Sequence, residues 1–374
     1  MKFISMLLLS MSPLLSIHAF AYPEMVRAGY VNCNSCHVSM NGGGVLNDYG
    51  RKLSKEELAL WKNPSEKSTE EQALYGVMAD SPIQKWLKLG GDVRSVYYYV
   101  NSANVEMGET ILMQADFQAA ATFDQWTLVG AAGVTQTAPG KTVEFLSRNH
   151  YLLYELSDEI HFRAGKFIPA YGINTPDHTS LTRSPLELGY NYESYNVEAS
   201  YISEKWNWFA SGIFGRPDDT TLNQDKGFAI QGSYSTSERV KFGLNTWYGK
   251  KVDTSRWLFG GFAMVGFTKE FFGSTEIDVK SYKDSDHGIA TTQKLSYELT
   301  DGLWLYGMQE YGTTNIPATY NTTSQVYGAG FQFFPRTHFE FNLAYEKILN
   351  QSVAGARNTF TGMDTIWLMS HFYL

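Results

Sequence analysis

From Trp86 onward, apolar and polar residues alternate along the chain with a period of two. The clearest run, from His338 to Ile348, has apolar residues at Phe339, Phe341, Leu343 and Tyr345. Successive side chains of a strand point to opposite faces of the sheet. One apolar face and one polar face, repeated about every 12 residues, is the pattern of a membrane barrel with lipid outside and water inside.

The breaks between these segments alternate between short and long. Short turns are predicted at Asp124–Gln125, Ser157–Asp158, Glu204–Lys205, Thr236–Ser237, Phe272–Gly273, Asp301–Gly302 and Pro335–Arg336. Longer loops are predicted near 102–108, 138–142, 169–191, 216–225, 251–255, 283–287, 315–322 and 349–358. Short turns face the periplasm in bacterial barrels. The sequence therefore predicts a mainly β fold, a transmembrane antiparallel β-barrel of about 16 strands, over residues 86–374.

Composition and the first residues agree with export to the outer membrane. Residues 1–21 have the charged start, apolar middle and Ala19-Phe20-Ala21 exit of a signal peptide. Later in the chain no apolar run approaches the roughly 18 residues of a spanning helix. Aromatic residues make up 15% of the chain, as expected for a barrel with aromatic girdles. The net charge of −8 argues against a nucleic-acid partner.

Residues 22–85 have a different pattern, which predicts a small α-helical module. Ser54-Lys55-Glu56-Glu57 predicts a capped helix to about Trp61, and Ser68-Thr69-Glu70-Glu71 predicts a second helix to about Met78. The glycine run Gly42–Gly44 allows the chain to wrap closely round a large group. So short a module has little core of its own, and a covalently held haem would supply one.

The module contains the sequence Cys33-Asn34-Ser35-Cys36-His37, which holds both cysteines of the chain. Thiols at this spacing can add to the two vinyl groups of a haem, and the following histidine can ligate the iron. The motif predicts one covalently attached haem c, with Cys33 and Cys36 as thioether sites and His37 as an axial ligand. Three other interpretations are a disulfide-exchange motif, a structural disulfide and a zinc site, which lacks a fourth ligand here.

The sequence does not identify the second axial ligand of the iron. Met78 and Met40 are the main candidates, with Met25 a further methionine of the module. A histidine from the barrel, His178 or His150, would give a bis-histidine centre, and an open site would permit ligand chemistry.

The barrel segments predict a lumen lined by mixed charges and a third loop that narrows it. Strand parity sends nine polar residues inward: Arg94, Gln114, Asp116, Gln118, Arg148, His150, His161, Arg163 and Glu198. We expect salt-bridged walls, with specific substrate binding as the alternative. In the loop from Pro169 to about Asn191, three residues carry functional chemistry: Asp177, His178 and Arg183. They line a constriction, bind a cation, approach the haem or order a surface turn.

With Cys33 to His37 and Tyr49-Gly50-Arg51 placed before a barrel, the chain resembles the fused monohaem cytochrome–porins of the bacterial outer membrane. The best-known members oxidise ferrous iron at the cell surface. The resemblance implies a cytochrome module seated in the lumen or on its periplasmic side.

Two functions from different classes follow. One is a relay of single electrons between an extracellular donor or acceptor and a periplasmic carrier, with the barrel embedded in the outer-membrane lipid. The other is a porin-like channel for small solutes whose haem module is a plug or sensor. A haem enzyme acting on a small ligand is a third, so enzymatic activity stays open.

Overall fold

The computed structural model describes residues 22–61, 85–103, 106–136, 142–175, 177, 179–188, 192–219, 224–282, 287–314, 320–354 and 357–374. Sixteen antiparallel strands close into one barrel, in which each strand pairs with its neighbours in sequence and β1 pairs with β16. The predicted fold class and strand number are confirmed. No helix among the described residues is long and apolar enough to cross a membrane.

The strands have the following bounds: β1 Leu87–Ser102, β2 Glu106–Phe123, β3 Trp126–Thr135, β4 Glu144–Glu155, β5 Ile160–Phe167, β6 Ser194–Ile202, β7 Trp206–Ile213, β8 Lys226–Ser237, β9 Val240–Lys250, β10 Ser255–Gly266, β11 Phe271–Tyr282, β12 His287–Thr300, β13 Leu303–Thr314, β14 Tyr320–Phe333, β15 Phe339–Ala354 and β16 Arg357–Tyr373.

The two faces of each strand separate as the alternation predicts. On β15 the side chains of Phe341 and Tyr345 are exposed on the outside, whereas Glu340 and Asn342 are fully buried inside. On β9, Leu244 is 74% exposed and its neighbour Asn245 is buried. The apolar exterior suits contact with lipid. Closure of the barrel leaves no unpaired strand edge, which a lipid bilayer requires of a β-structure.

Some predicted boundaries are wrong. The turn placed at Phe272–Gly273 falls earlier, at residues 267–270, where the Thr268 hydroxyl accepts hydrogen bonds from the backbone N–H groups of Glu270 and Phe271. The turn placed at Thr236–Ser237 follows Ser237, because β8 continues through both residues. The loop placed at 349–358 is mostly strand, since β15 extends to Ala354 and β16 begins at Arg357.

The predicted position of His150 inside the lumen is also wrong. Ala131 pairs with Asn149 and Ala132 with Ser147, so Arg148 is an extra residue in β4. Such a bulge shifts the alternation of the strand by one residue. His150 consequently shares the outer face with Leu152, and its Nε2 lies 2.9 Å from the Tyr195 hydroxyl.

Residues 22–61, which we call the plug, form short helical pieces. These are a 3₁₀ turn at Pro23–Ala28, another at Cys33–Ser35, and helix α1 at Asp48–Leu53, which continues as a π turn over Ser54–Leu58. The predicted helix start at Ser54 is wrong, because Asn47 caps α1 by accepting from the Gly50 N–H at 2.8 Å. The Ser54 hydroxyl instead lies 2.8 Å from that of Tyr373. The second predicted helix, 68–78, lies outside the described residues.

Candidate functional site

The plug lies in the lumen at the end where the short turns are. Its Gly29 approaches Glu238 of the turn after β8, its Asn32 donates to the Ser203 carbonyl of the turn after β6, and its Leu60 N–H donates to the Phe334 carbonyl after β14. Because short turns of such barrels face the periplasm, these contacts place the plug at the expected periplasmic end.

Two ion pairs with β12 anchor the first turn of the plug. The Glu24 carboxylate, fully buried, pairs with Lys294 and accepts from the Ser296 hydroxyl. Arg27 pairs with Glu298 and donates to the Lys269 carbonyl. Buried charges that lose a partner are strongly destabilising, so these pairs tie the plug firmly to the wall.

The two cysteines and the histidine are brought together by backbone hydrogen bonds. The Cys36 and His37 N–H groups both donate to the Cys33 carbonyl, at 3.2 and 3.1 Å. Asn47 joins helix α1 to this turn, because its side-chain amide donates to the Asn34 and Ser35 carbonyls. The motif is therefore held rigidly by the helix that follows it.

A tight hairpin follows the histidine. His37 is bridged to Leu46, and the Val38 N–H donates to the Val45 carbonyl at 3.0 Å. Gly42 turns the hairpin with a φ of 86°, and a Cβ atom there would lie 3.1 Å from the Cys33 Cβ. Only glycine adopts this backbone without strain, so the glycine run lets the hairpin fold back against the first cysteine.

A cavity of about 350 Å³ lies between the plug and the barrel wall. Cys33, Cys36 and His37 line it together. Its apolar lining comes from both sides: Met25, Met40, Leu46, Leu53 and Leu58 of the plug, and Val129, Tyr151 and Phe167 of the wall. This volume lies in the range of small-molecule sites, roughly 300–1,000 Å³.

Burial controls the protonation of the three motif side chains. It raises the pKa of the Cys33 thiol, with Lys241 acting in the opposite direction, and it raises that of Cys36 to about 11. Burial lowers the pKa of His37 to about 4. At neutral pH the imidazole is therefore neutral, which is the form that ligates metals.

These residues fit a haem c on observations independent of the sequence motif. Both cysteines are free thiols, so the structural disulfide considered above is absent from the structure. The His37 Nδ1 atom is buried and has no hydrogen-bond partner. Two thiols, a neutral imidazole and an apolar cavity in contact with all three are the donor set and surroundings that the group needs.

The candidates for the second axial ligand are placed differently. Met40 packs in an apolar cluster with Val45 and wall residues that include Tyr151 and Phe167, and it lines the cavity. Met25 lines the cavity from the first turn of the plug. His150 faces outward, and Met78 and His178 lie outside the described residues. Met40 and Met78 stay predictions for this role.

The other eight predicted lumen residues face inward and form the expected salt-bridged wall. Arg148 pairs with Asp116 at 3.0 Å, and Arg163 pairs with Glu198 at 2.7 Å. The remaining four are Arg94, Gln114, Gln118 and His161. The first pair spans β2 and β4 across β3, and the second joins the neighbouring strands β5 and β6.

The third loop, between β5 and β6, folds into the lumen as predicted. Arg183 donates to both carboxylate oxygens of Glu276 on β11, at 2.8 and 2.9 Å, and the Ile173 N–H donates to the same group at 2.9 Å. The Ser180 hydroxyl donates to Glu310 on β13 at 2.6 Å. Asp177 accepts from Thr179 within a local turn.

The Asn174 side chain of this loop forms hydrogen bonds to the plug. The Asn174 amide donates to the carbonyls of Asn41 and Gly42, at 2.7 and 3.2 Å. Neither Asn174 nor the wall acceptors Glu276 and Glu310 carries a local sequence signal for these contacts. They were missed because only the closed barrel brings these positions together.

Replacing Glu276 with Gln should release the third loop, because the buried Arg183 would lose the carboxylate that accepts two of its hydrogen bonds. The loss is about 3–5 kcal/mol, so we expect a higher conductance in a planar bilayer. Asp218→Asn is the control, since it removes the partner of Arg216 in a partly exposed pair of the fourth loop. Equal conductance of both variants would contradict the anchoring role of Glu276.

Replacing Gly50 with Ala should loosen helix α1 from the cysteine motif. A Cβ atom at Gly50 would lie 2.3 Å from the Cys36 carbonyl oxygen, and overpacking of this kind costs about 1–3 kcal/mol. We expect faster proteolysis of the plug. Gly130→Ala is the control, because a Cβ atom there meets nothing within 4 Å. A variant as resistant as that control would show that the close contact is unimportant.

No protein-family model and no curated protein matches this chain. Solved structures of similar fold do match it. The outer membrane protein OmpT of Vibrio cholerae is 13% identical, with a TM-score of 0.55, over 77% of this chain and 97% of that one. The outer membrane channel DcaP of Acinetobacter baumannii is 11% identical, with a TM-score of 0.56, over 77% and 97%. OprB of Pseudomonas putida at high pH is 8% identical, with a TM-score of 0.57, over 85% and 99%.

At these identities the likeness concerns the fold. The chain is a porin-like barrel of 16 strands, of the kind found in outer-membrane proteins. Together with the apolar exterior, this supports an outer-membrane location.

Proposed function

We propose that this protein is a porin-like barrel of the outer membrane, closed at its periplasmic end by a plug that carries one covalently attached haem c. The observation that carries the proposal is the shared cavity, which Cys33, Cys36 and His37 line from the plug side. The solved structures of similar fold include channels and porins, and they favour this function over electron relay.

The roles of the residues follow from their chemistry. Cys33 and Cys36 would hold the group through thioether bonds, and His37 would offer its neutral imidazole to the iron. Met40 or Met78 is the proposed second axial ligand. Bound haem supplies a one-electron redox change at its iron. Apolar side chains of the plug and the wall, among them Met25, Leu53 and Phe167, would pack against the group.

The plug and the third loop together control which small solutes pass through the lumen. The plug meets the wall at β10, β12 and the turns after β6, β8 and β14, and the third loop occupies part of the lumen beside β11 and β13. Small solutes therefore pass only through the space these segments leave or when the plug moves. We propose that the haem module acts as this plug, or as a sensor that sets its position.

The second candidate is the relay of single electrons between an extracellular donor or acceptor, such as Fe(II), and a periplasmic carrier. One observation favours it. Contacts between the plug and the wall run from Lys88 on β1, through Arg163 on β5 and Lys241 on β9, to Trp304 on β13. An electron can cross so filled a lumen without displacing protein, whereas a solute needs the space that the plug and the third loop leave.

Purified protein in sealed vesicles separates the two functions. The channel predicts steady conductance and sugar permeation, together with a haem spectrum that does not respond to an impermeant reductant added outside. Rapid reduction by external Fe(II) without solute permeation would replace the channel by the relay. A protein without haem absorbance that still conducts would remove the haem part of the proposal.

A further inference from the structure

Arg163, on β5, is a buried wall arginine that reaches the plug. Its Nε donates to the Glu198 carboxylate at 2.7 Å, and its Nη1 donates to the Ser39 hydroxyl of the plug hairpin at 3.3 Å. The other oxygen of Glu198 accepts from the Ser211 hydroxyl at 2.6 Å. Glu198 is thus satisfied on both oxygens by neighbours in the wall.

One nitrogen of the Arg163 guanidinium forms no hydrogen bond. Its Nη2 is buried and has no hydrogen-bond partner, although the whole side chain is only 3% exposed. The guanidinium lies 3.9 Å above the centre of the Phe167 ring, which fixes its plane. A buried donor left without an acceptor costs about 1–3 kcal/mol, so the geometry calls for an acceptor from the cavity that Arg163 lines.

We infer that Arg163 donates to a carboxylate of the bound haem. The inference rests on the proposed haem site. A guanidinium has five N–H donors in a fork and commonly binds carboxylates, and haem carries two carboxylate side chains. Arg163 holds such a carboxylate through Nη2 while Nη1 holds the plug at Ser39. The barrel wall thereby fixes the haem edge as well as the plug.

Three further buried cations line the cavity: Arg148, Arg183 and Lys241. Arg148 pairs with Asp116, and Arg183 donates to both carboxylate oxygens of Glu276. Lys241 suits the role less well for a different reason. Its ammonium donates to the Val31 carbonyl at 2.7 Å and acts on the neighbouring Cys33 thiol. The carboxylates of haem lie on the edge of the ring opposite the vinyl groups that the cysteines bond. A cation beside Cys33 is therefore on the wrong side of the group.

A cation held at a haem carboxylate favours the reduced iron electrostatically. Its loss should lower the midpoint potential and should raise the pKa of the released carboxyl, so that the potential varies with pH across the neutral range. Both effects are measured on the haem itself and need no knowledge of substrate or partner. A purely structural role for Arg163 would change stability and leave them unaltered.

The test is redox titration of the purified haem-loaded protein and its Arg163→Gln variant. We expect a lower potential with new pH dependence in R163Q. Arg256→Gln is the matched control, because Arg256 is another buried wall arginine, paired with Asp225, that does not line the cavity. We expect the control to keep the potential of the unmodified protein.

Should R163Q not fold because Glu198 is left unpaired, the double variant Arg163→Gln/Glu198→Gln removes both charges. We expect it to show the same new pH dependence with a smaller fall in potential, because the lost cation and the lost anion offset each other. A loaded variant with an unchanged, pH-independent potential would overturn the inference and leave the haem site standing. Absence of covalent haem from the unmodified protein would instead overturn the proposed function.

Discussion

Replacing Glu24 with Gln is expected to open the barrel. Glu24 is fully buried, and its carboxylate pairs with Lys294, which is buried on β12. Glutamine keeps the size of the side chain and removes its charge. Breaking such a pair costs about 3–5 kcal/mol, because the remaining charge stays buried. The cost falls on the contact between plug and wall, so the first turn of the plug should leave the lumen.

Single-channel recordings in a planar bilayer measure this effect directly, and we expect a severalfold higher conductance in the Glu24→Gln variant. Lys88→Ala provides the control. Lys88 pairs with Asp48 of the plug at 2.7 Å, but Asp48 is largely exposed, and exposed pairs contribute at most about 1 kcal/mol. A Glu24→Gln channel that conducts like the Lys88→Ala channel would show that the buried pair does not hold the plug.

Replacing both Cys33 and Cys36 with Ala is expected to abolish covalent haem completely. Each thioether bond needs one of these thiols, and they are the two cysteines of the whole chain. Neither belongs to a strand, so barrel closure should survive. After denaturing electrophoresis, the haem-stained band should vanish while a heat-modifiable band, typical of a folded barrel, remains.

Ser35→Ala is the control for this loss, because Ser35 lies between the cysteines and bonds the Asn47 amide through its carbonyl oxygen, which alanine retains. We expect full haem staining in that variant. If staining persisted in the double cysteine variant, attachment would have to occur elsewhere, and the interpretation of the motif would fail.

The alternation of apolar and polar residues was enough to predict the barrel, because a closed membrane sheet imposes one rule on every strand. The rule does not place turns. The turn after β10 forms where the Thr268 hydroxyl accepts hydrogen bonds from the backbone N–H groups of Glu270 and Phe271. Composition alone favoured a later turn at Phe272–Gly273. The rule also does not show the extra residue at Arg148, which moved His150 to the outer face.

The candidate site likewise has a part that the sequence predicts and a part that depends on tertiary contacts. Cys33, Cys36 and His37 form a local motif, and their chemistry could be predicted without any tertiary contact. Arg163, Asn174 and Glu276 act on residues that lie far from them in the chain. Their roles depend on barrel closure and on the inward fold of the third loop. The cap at Asn47 was also missed, although Asn directly before a helix is a local helix-start signal.

The measurement that tests the central claim most directly is the intact mass of the protein purified from outer membranes, together with its visible spectrum. The proposed function predicts one haem per chain, retained after denaturation, and the sharp reduced bands of a c-type haem. A chain with two alkylatable thiols, no added mass and no haem absorbance would contradict it.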